Sequence, residues 1–582
     1  MVGEEVSASE DGVSRDGEGS PAASAEAAGA ASGRLSREDT GRRFIRHTAV
    51  MSVGTALSRI TGFLRLSAMA YAIGVAHSRV ADAYNVANNT PNIVYELVLG
   101  GILTSVFVPV FVEWLDARGR DQAWDVARSV LTFTLVVLTA IMLVTILVAP
   151  LLVRLYTLRL SGSGAEAERD LATFFLRWFM PQIVFYGLGA VITGLLNAHR
   201  KFAVPMFAPI LNNLIVIGTM IAFAAMPGGS DISGSDAITG AQKLVLALGT
   251  TLGVVAMTLV LLPSLRRVGF RFRWRFDWGH EAVRRIARLS LWVFVYVAVN
   301  QLGLLVVIVL GAGKLEYTAY NSAFILFQLP HAIFAVSIMT ALLPALSSRW
   351  AEGDRDGFRL LLARGLRSTA FIVVPAAFGY IVLAEPIVRL LLQHGAAAQG
   401  ITSEVTGDVL VFFSIGLFQF SAFQLLLRAY YATQDTRTPA LINVAAVALN
   451  TAVNFLYFFT FGLGVRGLAL GHATAYTFAA IVAAVLMRRK LGGLEGRVVL
   501  GGIAKVLTGA AVTAAAAFGT SKVLGSLVDT HSVAGQLAQV TGSVAVGLLV
   551  FVLAALVLRM EDLQLVKEFV VARVRPGTHT ER

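Results

Sequence analysis

The chain has 582 residues, 56% of them hydrophobic and only 14% charged, with a mean hydropathy of +0.71; such a composition excludes a purely water-soluble protein and makes the bilayer its solvent. Cysteine is absent, which excludes disulfides and thiolate metal sites. A formal net charge of +12 would suit nucleic acid, but the basic residues fall mostly between apolar runs, so they read as determinants of membrane topology, with no nucleic-acid partner.

Residues 1–46 are rich in Gly, Ala, Ser and Glu and nearly devoid of large apolar side chains, which predicts a disordered cytoplasmic tail. No short apolar core follows an N-terminal basic cluster, so the tail does not read as a secretory signal. From Thr48 onward, apolar stretches recur with short polar breaks, each long enough to cross about 30 Å of hydrocarbon as a helix. The sequence predicts an all-α polytopic membrane protein of about 14 spans, near 48–76, 79–113, 123–153, 170–197, 203–226, 241–263, 286–312, 316–346, 363–392, 405–430, 438–461, 464–487, 500–520 and 537–558. A membrane barrel is excluded because the period-two alternation it requires is missing.

With both termini cytoplasmic, the inner-side segments hold 34 of the 48 Lys and Arg residues and the outer loops hold 8. The other six, Arg59, Arg65, Arg177, Lys243, Arg428 and Lys505, lie within or at the margins of spans. Cytoplasmic loops retain basic residues, so this bias supports the alternation and the orientation together.

An internal repeat is present. Ala198 to Pro205 and Ala432 to Pro439 share one spacing at an offset of 234 residues, and Thr104 to Pro109 resembles Thr340 to Pro344 at nearly the same offset. The expected organisation is an N-lobe of spans 1–6 over 47–278, a C-lobe of spans 7–12 over 279–492, spans 13 and 14 over 493–560, and a cytoplasmic tail at 561–582. Transporters built from such repeats place their site at the repeat interface.

Charged residues at membrane depth mark cavities or pathways, because each costs about 2.5–3.5 kcal/mol on insertion scales. Asp82, Asn85, Asn89, Asn92 and Glu96 follow spacings of 3 and 4, which puts all five on one face of span 2. Span 1 carries Arg59 and Arg65 with Gly62 between them, a site where the helix could kink to bring both guanidiniums to one cavity. Paired guanidiniums suit a bidentate anion such as phosphate, with Asp82 as an alternative counter-ion. Span 8 adds Asn321, Gln328 and His331, and span 7 adds Asn300 and Gln301. On span 11, Asn450 and Asn454 share a face and could hold Na⁺ as a coupling ion, although asparagine pairs bridging helices look the same in sequence. No zinc-protease, nucleotide-binding or Cys/His motif occurs, so the chain reads as neither an enzyme nor a cofactor carrier.

The run Leu57-Ser-Arg-Ile-Thr-Gly-Phe-Leu-Arg65, then Ala81-Asp-Ala-Tyr84, Pro91-Asn92 and Val106-Phe-Val-Pro109, resembles the N-terminal signature of the MurJ (MviN) lipid II flippases. The resemblance continues at Leu196 to Pro209, Leu342 to Ser347 and Arg428 to Pro439. It implies the multidrug/oligosaccharidyl-lipid/polysaccharide exporter fold, two six-helix lobes around a cavity lined by spans 1, 2, 7 and 8, with a lipid-tail groove near spans 13 and 14. It also implies a substrate, undecaprenyl-pyrophosphate carrying a disaccharide-pentapeptide, held at Arg59 and Arg65 with Asp82 nearby, and hence a role in peptidoglycan biosynthesis at the bacterial cytoplasmic membrane. Where many relatives carry basic cavity residues, this chain has Tyr95 with Glu96, and Ile325. The alternatives are export of another lipid-linked oligosaccharide, or a non-transporting scaffold for cell-wall synthesis or division proteins.

Overall fold

The computed structural model describes residues 54, 57–75, 78–98, 111, 119–199, 201–228, 238–277, 279, 281–313, 316–398 and 402–563. The tail expected at 1–46 and most of that at 561–582 lie outside the described residues, as do Thr104 and Pro109 of the second repeat pair. Among the described residues there is no strand. The long helices in chain order are α1 (57–73), α2 (Arg79–Val98), α3 (Arg120–Tyr156), α4 (Ala165–Ala198), α5 (Ala203–Ala224), α6 (Gly240–Arg267), α7 (Glu281–Ala312) and α8 (Tyr317–Ala351). They continue as α9 (Arg355–Leu392), α10 (Thr402–Ile415 and Leu417–Ala432), α11 (Arg437–Thr460), α12 (Val465–Leu491), α13 (Gly496–Leu527) and α14 (Val533–Val557).

Ten of these helices are long and apolar enough to cross a membrane, and α10 counted as one bent span makes eleven. The helices at three other expected spans, α1, α2 and α7, fall outside that set. α2 carries Arg79, Asp82 and Glu96 in its 20 residues, and only Val297–Ala312 of α7 is an apolar stretch. The polar stripe that singles out span 2 in the sequence also dilutes its hydropathy.

Local chemistry sets the helix ends. Thr239 and Gln242 close a reciprocal capping box at the start of α6, with Thr239 N–H donating to Gln242 Oε1 at 2.8 Å. Asp354 caps α9 by accepting from Gly357 N–H at 2.7 Å and pairs with Arg349; the amide bond and that guanidinium hold its carboxyl below the usual range. α10 bends by 47° at Gly416, where a Cβ would come within 2.6 Å of Ala473 Cα on α12, so only glycine admits that approach. The repeat motifs fall at equivalent joints: Ala198 ends α4 and Pro205 opens α5, as Ala432 ends α10 and Pro439 opens α11.

Buried apolar side chains form three clusters. One runs from Met69 to Phe270 and draws on α1–α6, with its centre at Tyr84, Phe175 and Phe179. A second gathers α7–α12 around Phe327, Phe413 and Tyr430, and borrows Leu66, Ala70, Val86 and Tyr156 from the first half of the chain. A smaller third joins α9 to α13 and α14 through Phe371, Ala510 and Phe551. An ion pair closes that third cluster: Arg367 on α9 meets Asp562 and Glu561, just beyond α14, each at 3.0 Å, with Arg367 and Asp562 only 13% and 6% exposed.

Breaking a pair this deep leaves a stranded charge, at a cost of about 3 kcal/mol. Arg367→Ala is therefore expected to lower the thermal midpoint in detergent and to make the segment just after α14 sensitive to protease. The double variant Arg367→Ala/Asp562→Ala regains most of the loss. Equal destabilisation in the single and double variants would show that the pair contributes through packing instead.

Candidate functional site

A cavity of about 630 Å³ lies between the helices of the two halves, walled by α1, α2, α5 and α8. α1 supplies Arg59 and Arg65. On a helix of 3.6 residues per turn these two flank Gly62 by about 60° on either side, so one face holds both guanidiniums. α1 is helical without a break across this stretch. The missing side chain leaves open space between the arginines, where a Cβ would meet only Asn213 Nδ2, at 3.5 Å.

α2 lines the cavity with Asn85, Asn89 and Asn92, as its stripe predicts, and also with Asn88, which the stripe omits. α8 adds Asn321 and Gln328, together with Thr318, Ser322 and apolar Phe324 and Ile325. α5 also contributes: Pro205, Met206, Pro209 and Asn213 form part of the wall. Asn213 bridges to α1 by donating to Ser58 C=O at 3.3 Å and Thr61 Oγ1 at 3.1 Å. The adjacent Asn212-Asn213 pair in an otherwise apolar helix was the sequence signal for it. Side chains at 282–296 of α7, and that of Tyr95, lie outside the described residues.

Three expected site residues stand off the cavity wall. Asp82 is fully buried, and its Oδ1 accepts the backbone N–H of Thr318 at 2.9 Å. Thr318 is the second residue of α8, where the amide has no partner within its own helix, so Asp82 caps α8 from across the interface. Its carboxylate serves α8, which corrects the expectation of a headgroup contact or an arginine counter-ion. His331 packs 4.6 Å from the Phe420 ring with Nδ1 2.9 Å from Ser421 Oγ, so it belongs to the C-terminal core. Glu96 is exposed at the far end of α2, because the stripe is longer than the cavity. Asn450 and Asn454 lie on α11, away from the cavity, with Asn454 Nδ2 donating to Asn450 Oδ1 at 2.5 Å and Asn454 packed against Gly471 of α12.

The contacts between α2 and α8 are concentrated at one end of the cavity. Beside the Asp82 cap, Asn85 Nδ2 donates to Thr318 Oγ1 at 3.1 Å and Asn89 Nδ2 donates to Tyr317 Oη at 2.6 Å. Arg159, just beyond α3, stacks over Phe458 and Phe459 of α11 at 4.8 and 4.5 Å. At the end of α1, Gly395 approaches Tyr71 so closely that a Cβ there would lie 2.4 Å from the Tyr71 carbonyl oxygen. Among the described residues lining the cavity, Arg59 and Arg65 are the only charged side chains, and no carboxylate faces them.

A family model described as "Lipid II flippase MurJ" matches residues 69–538. A probable lipid II flippase MurJ of Vibrio cholerae is 27% identical over 460 residues, covering 77% of this chain and 83% of its own. A counterpart from Rhizobium meliloti is 29% identical over 486 residues, with 81% and 86% covered. Among solved structures, a lipid II flippase MurJ in an inward closed conformation aligns with a TM-score of 0.70 at 20% identity, covering 88% of this chain and 99% of that one. An inward-facing transporter of the multidrug resistance MATE family aligns at 0.60 and 16% identity, with 75% and 96% covered.

The cap on α8 separates two roles for Asp82. An asparagine keeps the acceptor oxygen and loses the charge, whereas alanine loses both. Asp82→Asn is expected to stay near the parent thermal midpoint, while Asp82→Ala loses about 1–2 kcal/mol, the usual cost of removing a cap. Equal destabilisation by the two variants would mean that charge, not capping, holds the residue.

Proposed function

The chain belongs to the lipid II flippase MurJ family, and from that premise we propose that it moves undecaprenyl-pyrophosphate carrying the disaccharide-pentapeptide from the cytoplasmic to the outer leaflet by alternating access. The observation that carries this reading is the pair Arg59 and Arg65 in a cavity whose other described lining residues are neutral polar or apolar. Two guanidiniums with no carboxylate beside them among the described lining residues make a positive site suited to an anion. Their forked N–H donors match phosphate oxygens in pairs. The asparagines of α2 and α8 supply donors and acceptors for sugar and peptide groups, each of which would be costly to strip of water without a partner.

The chain is a multi-pass protein of the bacterial inner membrane, and the basic bias of alternate loops supports cytoplasmic termini. In that orientation the α2–α8 contacts close the outer end of the cavity, and Arg59, Asn92 and Gln328 lie toward the cytoplasmic end. The headgroup enters from the inner leaflet while the tail remains in lipid along a groove near α13 and α14. The lobes then rock, the α2–α8 hydrogen bonds part and the cavity opens outward. A net negative headgroup moving outward is assisted by an inside-negative potential, worth about 2.3 kcal/mol per charge per 100 mV.

Arg59→Ala and Arg65→Ala are each expected to reduce externally accessible lipid II about ten- to a hundredfold at unchanged membrane levels, the equivalent of losing one charge-assisted hydrogen-bond set. Lysine at either position restores part of the activity, since it keeps the charge and loses the fork. Undiminished accessibility in the alanine variants would defeat the assignment, and a block in the export of a different lipid-linked glycan would redirect it.

Gly62→Leu tests the gap between the arginines separately. Both guanidiniums survive and a helix-breaking glycine disappears, so stability holds or rises by up to about 1 kcal/mol while transport falls. Full transport with leucine in place would mean that the substrate does not pass between Arg59 and Arg65.

A further inference from the structure

Between α6 and α7, the two halves of the chain are joined by the run Phe270-Arg-Phe-Arg-Trp-Arg-Phe-Asp277, in which aromatic and basic residues alternate. The segment is extended from Phe270 to Asp277 and is neither helix nor turn. In an extended chain successive side chains point to opposite sides, so Phe272, Trp274 and Phe276 share one side. Their rings touch in series, with centroids 5.2 and 6.0 Å apart. No core covers them: they are 43%, 61% and 61% exposed.

The backbone beneath is fixed. Phe270 is buried against Trp124, with ring centroids 5.3 Å apart. Arg128 donates to the Arg271 carbonyl at 3.0 Å, and Arg275 N–H donates to Thr132 Oγ1 at 3.2 Å. The Arg275 guanidinium pairs with Asp125 at 2.8 Å, and Asp125 also engages Arg128. Asp277 lies 3.8 Å from the same Arg275. The two nearby carboxylates are thereby committed, whereas Arg266, Arg267, Arg271 and Arg273 are exposed and have no acidic partner among the described residues. The strip runs along the start of α3, next to lipid-length apolar surface where Phe133 and Val136 are exposed.

We propose that this ribbon, pinned to α3 with its aromatic side uncovered and with Arg271 and Arg273, beside Arg266 and Arg267 at the end of α6, lacking an acidic partner among the described residues, is a binding surface for anionic phospholipid headgroups of the membrane leaflet it faces. Aromatic rings settle at the headgroup level of a bilayer, and arginines beside them find lipid phosphates there. Charge complementarity selects the occupant. A soluble acidic partner would satisfy the arginines but leave the rings in water, and neutral lipid would cover the rings but leave the arginines without counter-charge. Because the strip is the covalent link between the halves, its grip on the surface also restrains how they move past one another.

The test uses the full chain in nanodiscs of phosphatidylcholine with a minority of phosphatidylglycerol, one or the other lipid carrying brominated acyl chains. The Trp274 signal is isolated as the difference between the parent and Trp274→Phe. The expected result is stronger quenching by brominated phosphatidylglycerol than its share of the bilayer predicts. In Arg271→Gln/Arg273→Gln that preference falls about fivefold per arginine removed, the factor equivalent to about 1 kcal/mol for each basic residue at an anionic surface. Quenching that follows bulk lipid composition in the parent, or a preference unchanged by the glutamines, overturns the proposal. A Trp274 that neither brominated lipid quenches, but that responds to protein density in the disc, would overturn it in favour of a contact with a second copy. Lys201→Gln, a basic residue at a different joint, should leave the preference intact and controls for net charge.

Discussion

A polar side chain at membrane depth has two ways to avoid an unpaired group in hydrocarbon: a protein partner or water. α2 uses both along a single face. Asp82, at its first turn, is completely enclosed and spends one oxygen on the amide of Thr318. Asn85 and Asn89, one and two turns further, divide their functions between α8 and the cavity, and Asn92 faces the cavity with its amide turned back on the Asn88 carbonyl. The stripe thus passes from seal to binding wall within a few turns, and the geometry of everything around the cavity follows from where that change occurs.

The nature of the seal suits a contact that must break. Most of the cross-interface bonds between α2 and α8 are side-chain hydrogen bonds, which net only about 0.5–1.5 kcal/mol each because the separated groups rebond to water. A dry apolar interface of the same extent would cost more to open. Arg159 over Phe458 and Phe459 has the same character, since a guanidinium leaving a ring face regains its hydration. The joint between α9, α13 and α14 is built the opposite way, with apolar packing closed by the enclosed Arg367–Asp562 pair. Permanent and separable contacts therefore differ in chemistry within one chain.

Much of this was legible in the sequence, because apolar length and the spacing of polar residues are local properties. The helix positions and the polar face of α2 follow from periodicity, the joints marked by Ala198–Pro205 and Ala432–Pro439 from an internal repeat, and the gathering of Arg59, Arg65 and the asparagines at one cavity from what the family resemblance implies. Periodicity assigns a residue to a face but not to a depth. Asp82, Asn92 and Glu96 share a face, and only their heights decide that the first is a cap, the second lines the cavity and the third is exposed. The role of α5 was hidden for a related reason: its wall is mostly Pro205, Met206 and Pro209, which carry no charge to draw the eye. At Gly62 the structure shows an unbroken helix and open space where a side chain would stand.

The cavity's charge is sparse, and the sparseness has a mechanical consequence. Ile325 lines the α8 wall, and the two charged side chains among the described lining residues both come from one helix, α1. A site held from both lobes would resist their separation, because the anion itself would bridge them. In the proposed mechanism, a site whose guanidiniums both project from α1 would let the headgroup travel with the N-terminal half while the C-terminal half moves away. The neutral Asn321 and Gln328 of α8 then exchange partners with water at little cost. The two sides of the cavity are thus distinguished by charge among the described lining residues, and the distinction begins with two arginines placed on either side of a glycine.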